Sequence, residues 1–326
     1  QRLADGVARQ GDMELVGIAD VAPTLSVRAL VEKGMPYAFY NASSGNEAAL
    51  ADAGVPVSGS FEDLVSQVDI MLDAAPGGIG AKNKQLYARM GRKAIFQGGE
   101  KNSVADVFFH GYANYSAGVG RDYLKLTSCN TTGLIRAVDC LDRAAGVTRV
   151  AITIIRRVAD PGDYHRGLTN ALQLEKAPSH QAVDLMSIMP HIDATGILVH
   201  TPVTHGHIIT VLASTKRRVE KAEFLEIVGK HPRIRVVRLE DGFLGNASLF
   251  RYVRDLGNPR GDMYEIALWD ESIVNSGDDI MFAINIPQES VVIPESIDGI
   301  RAALSMQTDG AEGVAKTSEY LGLKSR

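Results

Sequence analysis

The chain is poor in cysteine and has no long apolar run. Its two cysteines, Cys129 and Cys140, give neither a disulfide framework nor a zinc-binding spacing. No apolar stretch approaches the roughly 18 residues needed to cross a bilayer, and no signal-peptide pattern opens the chain. We therefore expect a soluble protein in the reducing cytoplasm.

A strong net charge is also missing. The formal net charge is −5, which gives no electrostatic reason to expect a nucleic acid or an anionic membrane as a partner. The 326 residues, 45% of them hydrophobic and 22% charged, are typical of an ordinary globular protein of two domains. A small anionic substrate would have to be bound by locally placed cations.

The stretch "TSCNTTGLIR" places Cys129 where a short strand gives way to a helix. The spacing of Leu134, Val138 and Leu141 predicts a helix that ends before Gly146. Free N–H groups at a helix start favour a thiolate or a developing oxyanion, so Cys129 is a candidate nucleophile. A buried structural thiol is the alternative that these residues leave open.

The first half of the chain alternates short apolar runs with amphipathic segments, which predicts a parallel sheet with helical crossovers. Glycine-rich turns follow two of the runs, in "DAAPGGIG" and "FQGGE". Ligands bind beyond the carboxyl ends of such strands, where glycine lets the backbone approach closely. The glycines could equally be ordinary turn residues.

Asp20 ends the run "MELVGIAD", at the tip of what would be the second strand of a dinucleotide-binding unit. A carboxylate there accepts hydrogen bonds from an adenosine ribose and repels a 2′-phosphate, which favours NAD over NADP. An ordinary turn residue is the alternative. The chain has no G-x-G-x-x-G, and we expect the first strand and its glycine loop to lie upstream of Gln1.

The second half has longer strand-like runs and fewer helical stretches, which predicts a mixed or antiparallel sheet with a hairpin at "NSGDD". His205 and His207 are predicted to alternate on one strand and share a face. With no clear carboxylate or thiolate partner, a base for Cys129 is favoured over a metal site. Arg156 and Arg157 close an apolar strand, where a cation can hold a phosphate.

Together these pieces resemble the archaeal-type (type II) phosphorylating glyceraldehyde-3-phosphate dehydrogenases over nearly the whole chain. The motifs that carry the resemblance occur in the family's order: "FQGGE", "SCNTTGL", "IRRVAD", "PSH", "HGH", "WDES" and "QESVVIPESIDGIRA". The resemblance implies a Rossmann-like cofactor domain, 1–128 with 290–326, and an α+β catalytic domain, 129–289. It also implies NAD or NADP as cofactor and a homotetramer.

The resemblance further implies a role for each site residue. Cys129 would be the nucleophile and His205 the general base. The other implied roles fall into two groups: Ser128, Asn130, His180 and Arg156 would bind the substrate and its phosphates, and Gly99, Arg157 and Gln288 would bind the cofactor. We add Asp20 to the cofactor-binding group because of its charge, and Gln181 to the substrate-binding group because it stands beside His180.

The chain departs from the family pattern at three places. "SHQAVD" stands where "SHHGPD" is usual, so Gln181 replaces a second histidine, and Leu168 stands where proline is usual. Asp20, Val21 and Ala22 stand where many members have Lys-Thr-Arg, which agrees with a preference for NAD. We expect oxidative phosphorylation of glyceraldehyde 3-phosphate in glycolysis or gluconeogenesis. The alternatives are a related phosphosugar or acyl-phosphate oxidoreductase, or a degenerate homologue without activity.

Overall fold

The computed structural model describes residues 1–157 and 171–324, and it divides them into two compact units. Unit 1 consists of Gln1–Val107, Ser116–Leu126 and Glu295–Leu321. Unit 2 consists of Phe108–Tyr115, Thr127–Pro294 and the C-terminal residues from Gly322. Unit 1 is thus built from three separate stretches of sequence. The domain boundaries expected from the sequence, at 128/129 and 289/290, remain a prediction.

Two parallel sheets form the centre of unit 1. One has the strand order β1-β2-β3 and the other has the order β4-β5-β7-β6. Their strands are β1 (Ile18–Asp20), β2 (Phe39–Asn41), β3 (Val57–Ser60), β4 (Ile70–Asp73), β5 (Lys93–Phe96), β6 (Val107–Phe109) and β7 (Tyr123–Leu126).

Helices alternate with these strands, as the sequence pattern predicts. Ser60 begins one of them with a capping box, in which Ser60 and Asp63 bond each other's backbone N–H groups. The helices are α1 (Arg2–Ala8), α2 (Leu25–Glu32), α3 (Glu47–Asp52), α4 (Phe61–Gln67), α5 (Ile79–Arg89) and α6 (Tyr115–Gly118), followed near the C-terminus by α11 (Ile293–Ala303) and α12 (Gly310–Tyr320).

A mixed sheet of eight described strands forms unit 2. The order is β12-β13-β15-β11-β8-β10-β9, and β14 pairs with β15. The β14–β15 turn is the hairpin predicted at "NSGDD". The strands are β8 (Val147–Arg157), β9 (Gln173–Leu174), β10 (Asp193–Thr201), β11 (His207–Thr215), β12 (Ile234–Val237), β13 (Ile266–Trp269), β14 (Val274–Ser276) and β15 (Asp279–Ile286).

The helix α7 (Cys129–Ala145) lies in the core of unit 2. Leu134, Ile135, Val138 and Leu141 are fully buried along it, together with alternate residues of β8, β11 and β15. This burial fixes one face of the sheet against α7. The remaining helices of the unit are α8 (His180–Ile188), α9 (Lys221–Gly229) and α10 (Asn246–Asp255).

The described parts of the chain contain no helix long and apolar enough to cross a membrane. They also contain no group of three His, Cys, Asp or Glu side chains that could hold a metal ion. The α/β fold class expected from the sequence, a parallel-sheet domain followed by a domain with a mixed sheet, is confirmed.

Candidate active site

Cys129 is the first residue of α7 and is half-buried. Ser128 is the N-cap, and its side chain accepts a hydrogen bond from the Thr131 N–H at 3.3 Å. The strand-to-helix turn predicted from "TSCNTTGLIR" is therefore present. The sulfur lies at the end of a 17-residue helix where the backbone N–H groups carry partial positive charge.

The histidine that contacts this sulfur is His207. Its Nε2 lies 3.8 Å from the Cys129 Sγ, and its ring is 1% exposed. On the opposite side of the ring, Nδ1 accepts a hydrogen bond from the backbone N–H of Arg157 at 3.2 Å. The His207 ring thus contacts the Cys129 thiol of α7 through one nitrogen and the backbone of β8 through the other.

His205 does not occupy the position that the sequence suggested. Strand β11 begins only at His207, and Gly206 has φ of 64°, so the alternation predicted for His205 and His207 is interrupted. The His205 ring packs edge-on against Phe250 at 4.4 Å, and its Nδ1 shares a hydrogen bond with the Thr204 hydroxyl. The shared face predicted for these two histidines is therefore wrong.

The burial pattern of β11 contains the signal that identifies His207. His207, Ile209, Val211 and Ala213 alternate as buried residues facing the core that contains α7. Counting back from this apolar register places His207 on the inward face. His205 has the same parity, and only the left-handed Gly206 before the strand turns it away.

Arg157 is committed to several partners within unit 2. Its side chain is 4% exposed, and the guanidinium donates to the Thr204 carbonyl at 2.8 Å and to Glu289 at 3.2 Å. Arg156 on the other face of β8 is more exposed and pairs with Glu175 at 3.4 Å. The same carboxylate bonds His200 Nε2 at 2.7 Å. Val158, Ala159 and Asp160 of the "IRRVAD" motif, and Leu168, lie outside the described residues.

The start of α8 is held against the first turn of α7. The Thr131 hydroxyl donates to Asp184 of α8 at 3.2 Å. His180, the first residue of α8, is exposed, whereas Gln181 beneath it is 1% exposed. The Gln181 amide nitrogen lies 2.8 Å from His180 Nε2. Gln181 thus donates a hydrogen bond to the His180 ring.

Three buried polar atoms of these two helix starts have no hydrogen-bond partner among the residues that the structure describes. They are the side-chain oxygens of Asn130, Ser179 and Gln181, in residues that are at most 2% exposed. Buried polar groups are nearly always paired, so unpaired ones are a sign of a binding or reacting site. All three belong to the "SCN" and "PSHQ" motifs.

The residues predicted to bind the cofactor lie in both units. In unit 1, Asp20 ends β1, with its Oδ1 accepting the Val21 N–H at 2.7 Å, and Gly99 follows β5. In unit 2, Gln288 is half-buried just after β15 and Arg157 ends β8.

A cavity of about 610 Å³ lies within unit 1, next to the loops that follow β4 and β5. Gly77, Gly78, Gly99, Lys84 and Lys101 are among its lining residues. A Cβ added to Gly77 would lie 2.7 Å from the Gly99 carbonyl oxygen, so the two backbones approach as closely as glycine alone permits.

Comparison with known proteins identifies the family. Residues 128–253 match the family model described as glyceraldehyde 3-phosphate dehydrogenase, C-terminal domain. The chain is 38% identical to glyceraldehyde-3-phosphate dehydrogenase 2 of Methanosarcina barkeri over 99% of its own length and 95% of the relative's. The chain belongs to the glyceraldehyde-3-phosphate dehydrogenase family. A family member from Methanothermobacter thermautotrophicus is 36% identical over 99% of this chain and 96% of the relative.

Solved structures agree with the fold of this family member. Aspartate semialdehyde dehydrogenase II from Vibrio cholerae superimposes with a TM-score of 0.63, covering 95% of this chain and 99% of that one. The sequence identity is 17%, so the likeness concerns the fold alone. The full-length relatives confirm the family that the sequence motifs indicated. The structural neighbour supports only the fold.

Proposed function

We propose that the protein oxidises glyceraldehyde 3-phosphate to 1,3-bisphosphoglycerate through a covalent intermediate on Cys129. The observation that carries the proposal is the contact between Cys129 and His207 at the start of α7, in a chain that belongs to this enzyme family. A thiolate suits the reaction because it is a strong nucleophile and its thioester stays reactive toward a second nucleophile.

Besides the aldehyde, the proposed reaction consumes only the oxidised cofactor and inorganic phosphate. The Cys129 thiolate attacks the aldehyde carbon, and the carbonyl oxygen takes a proton from the His207 imidazolium, which gives a thiohemiacetal. A nicotinamide dinucleotide would supply the hydride acceptor. The hydroxyl proton returns to His207 as the hydride leaves, and the product is a thioester. Inorganic phosphate then attacks the thioester carbonyl, which forms the acyl phosphate and releases the thiolate.

The substrate-binding proposal rests on the polar groups around the start of α7 and α8. Ser128 and Asn130 flank Cys129 in sequence, and the unpaired oxygen of Asn130 is suited to the reacting end of the substrate. We assign the substrate phosphate to His180, with Gln181 as the buried donor that orients its ring. Arg156, which pairs with Glu175, supplies the cation for the second anion, the attacking phosphate.

The cofactor proposal rests on the glycine-lined cavity of unit 1. A dinucleotide needs close backbone approach, and the Gly77–Gly99 contact leaves no room for side chains at that point. The residues present therefore fit a nicotinamide dinucleotide. We assign Gly99 and Asp20 to it in unit 1 and Arg157 and Gln288 in unit 2, and we propose NAD as the preferred form because Asp20 would repel a 2′-phosphate.

We also propose a homotetramer in the cytoplasm, acting in glycolysis or gluconeogenesis. The face of the eight-stranded sheet opposite to α7 carries Ile197, Leu212, Val274 and Met281, which are 39–56% exposed. Exposed apolar residues on one sheet face support assembly with further copies. Two free cysteines suit a reducing compartment.

Replacing the nucleophile tests the proposal. We expect Cys129→Ser to fold normally and to lose at least about 10³-fold in NADH formation from glyceraldehyde 3-phosphate, because serine is a far weaker nucleophile at neutral pH. The measurement is the NADH absorbance in the presence of phosphate, with Cys140→Ser as the matched control that retains activity.

Substrate comparison separates the proposed reaction from its rivals. Activity on glyceraldehyde 3-phosphate that greatly exceeds activity on glyceraldehyde and on longer phosphosugars supports the proposal. A wild-type protein that binds NAD but oxidises none of these aldehydes would be a degenerate homologue.

A further inference from the structure

The carboxylate of Glu175 lies beside the arginine assigned to the attacking phosphate. Its Oε1 lies 3.4 Å from the Arg156 guanidinium and 2.7 Å from His200 Nε2. A carboxylate can only accept hydrogen bonds, so the His200 ring donates from Nε2. The Arg156 and Glu175 side chains are both 37% exposed, and ions in solution can therefore reach them. Because a carboxylate repels anions, its position beside an anion-binding cation calls for a chemical reason.

The mixed sheet of unit 2 holds these three side chains together. His200 of β10 lies opposite Arg156 of β8 in the parallel register, and both continue the alternate positions that face the core containing α7. Strand β9 pairs with the end of β10, and the Glu175 N–H donates to the Leu198 carbonyl at 3.1 Å. The three residues therefore lie at the carboxyl ends of β8 and β10, on the sheet face that also carries His207.

The protons on an anion decide whether it can bind next to this carboxylate. Both of the hydrogen bonds described above end on Oε1 of Glu175, and we expect Oε2 to accept one from an anion held by Arg156. Only an anion that still carries a proton can donate that bond. Inorganic phosphate keeps a P–OH group at neutral pH, whereas sulfate has no proton there. A phosphate monoester, such as the phosphate of the substrate, loses its last proton at about pH 6.

We propose that Glu175 makes the Arg156 site specific for inorganic phosphate, because it accepts a hydrogen bond from the P–OH group while Arg156 donates to the charged oxygens. Sulfate and the phosphate ester of the substrate place an unprotonated oxygen against the carboxylate and bind weakly. The attacking phosphate and the substrate phosphate are thereby kept at separate sites. His200 is a positioning residue that acts through Glu175. The inference rests on the proposed function, which assigns Arg156 to the attacking phosphate.

Anion binding to the whole protein tests this specificity without aldehyde or cofactor. Thermal unfolding is followed while inorganic phosphate or sulfate is added at about pH 8 and constant ionic strength, and the rise in Tm with concentration gives each Kd. Binding that persists in Arg156→Gln lies elsewhere on the protein and is subtracted. We expect the wild type to bind phosphate about tenfold more tightly than sulfate at the Arg156 site, the effect of one hydrogen bond to a charged group.

Exchanging the carboxylate for an amide should remove the preference. The uncharged amide of Glu175→Gln can donate as well as accept, so sulfate should bind about tenfold more tightly than to the wild type, while the Kd of phosphate changes by less than about threefold. Asp193→Asn is the matched control and should keep the preference, because Asp193 also pairs with an arginine across β10 and β8, Arg149 at 3.9 Å, at the other end of these strands. His200→Phe cannot donate to Glu175 and should lose part of the preference, which His200→Gln should retain.

Equal affinities of the wild type for phosphate and sulfate, or a preference that survives in Glu175→Gln, would overturn the proposal. Phosphate binding that is unaltered in Arg156→Gln would do the same, and full preference in His200→Phe would refute the positioning role. A wild type that prefers phosphate but oxidises no aldehyde would refute the proposed function and leave the specificity standing. In the active enzyme, Glu175→Gln should strengthen inhibition by sulfate competing with phosphate and leave the KM for glyceraldehyde 3-phosphate unaltered.

Discussion

A single bond to a backbone amide distinguishes the two histidines of the "HGH" motif. His207 accepts a hydrogen bond from the Arg157 N–H and contacts Cys129. His205 contacts Thr204 and Phe250 instead. The residue types around the thiol could be predicted from sequence because a helix start favours a thiolate. Which histidine meets the sulfur could not, because it depends on a left-handed glycine between them and on the register of β11.

The two cysteines show how environment separates residues of one type. Cys140 lies about three turns further along α7 and is 9% exposed, and burial raises its pKa to about 12. It is a thiol at neutral pH and should not react with alkylating agents in the folded protein. Alkylation of the folded protein should therefore report on Cys129.

The Asp20 carboxylate should decide between the two cofactor forms. Its Oδ1 accepts a hydrogen bond from the Val21 N–H, and we expect its Oδ2 to accept one from a ribose hydroxyl. We expect the wild type to bind NADH more tightly than NADPH. Asp20→Ser should weaken NADH binding by about tenfold or more, the loss of a hydrogen bond to a charged group, and should improve NADPH binding by removing charge repulsion.

Separate fluorescence titrations with NADH and NADPH measure this change in preference. Asp52→Asn, at an exposed aspartate of unit 1, is the matched control and should leave both affinities unaltered. Equal affinities of the wild type for the two cofactors would contradict the role given to Asp20.

At the scale of elements, α7 is fixed by contacts that its sequence does not reveal. The sequence predicts its buried apolar face and its end at Gly146, and the structure confirms both. Gly133 in its second turn has no local reason, since glycine is unfavourable in a helix interior. The reason is the sheet: a Cβ at Gly133 would lie 2.3 Å from Ile286 Cδ1 on β15 and 2.9 Å from Ile266 Cγ2 on β13.

Gly133→Ala should therefore destabilise the protein, although alanine is the better helix former. The propensity gain is about 1 kcal/mol, and overpacking a core costs about 1–3 kcal/mol, so we expect a net loss of about 1 kcal/mol in urea unfolding. Ile286→Val removes the methyl group that the new Cβ meets first, and the double variant should lose less than the two single effects combined.

Gly245→Ala is the control for an added methyl group, since its backbone is extended at φ of 173° and nothing lies within 4 Å of the added Cβ. A Gly133→Ala variant that is more stable than the wild type would show that α7 and the sheet are less tightly packed than these distances require.

At the scale of the whole molecule, unit 1 is closed by residues from both ends of the chain. Arg301 on α11 is fully buried and bonds Asp12 and Gln10 near the N-terminus, and Thr317 on α12. The motif containing Arg301 was recognisable in the sequence. Its partner 289 residues earlier was not, because no local pattern marks Asp12 as the carboxylate for a buried cation.

Loss of the Asp12 carboxylate should weaken unit 1 in a pH-dependent way. The hydrogen bonds from Arg301 outweigh the effect of burial and, with the bond from Lys316, lower the pKa of Asp12 from 3.8 to about 2. A carboxyl whose pKa is lower in the folded state stabilises that state above its ordinary pKa, and the contribution is lost as the pH falls toward 2.

We expect Asp12→Asn to reduce the free energy of unfolding at pH 7 by about 1.5–3 kcal/mol, the value of hydrogen bonds to a charged group. Urea unfolding of both proteins between pH 7 and pH 2.5 measures it, with Glu319→Gln, at an exposed position of α12, as the control. The gap between wild type and Asp12→Asn should stay constant down to about pH 4 and shrink below it. A gap that is unchanged at pH 2.5 would mean that the side chain acts through packing, and that charge pairing with Arg301 does not hold the two ends of the chain together.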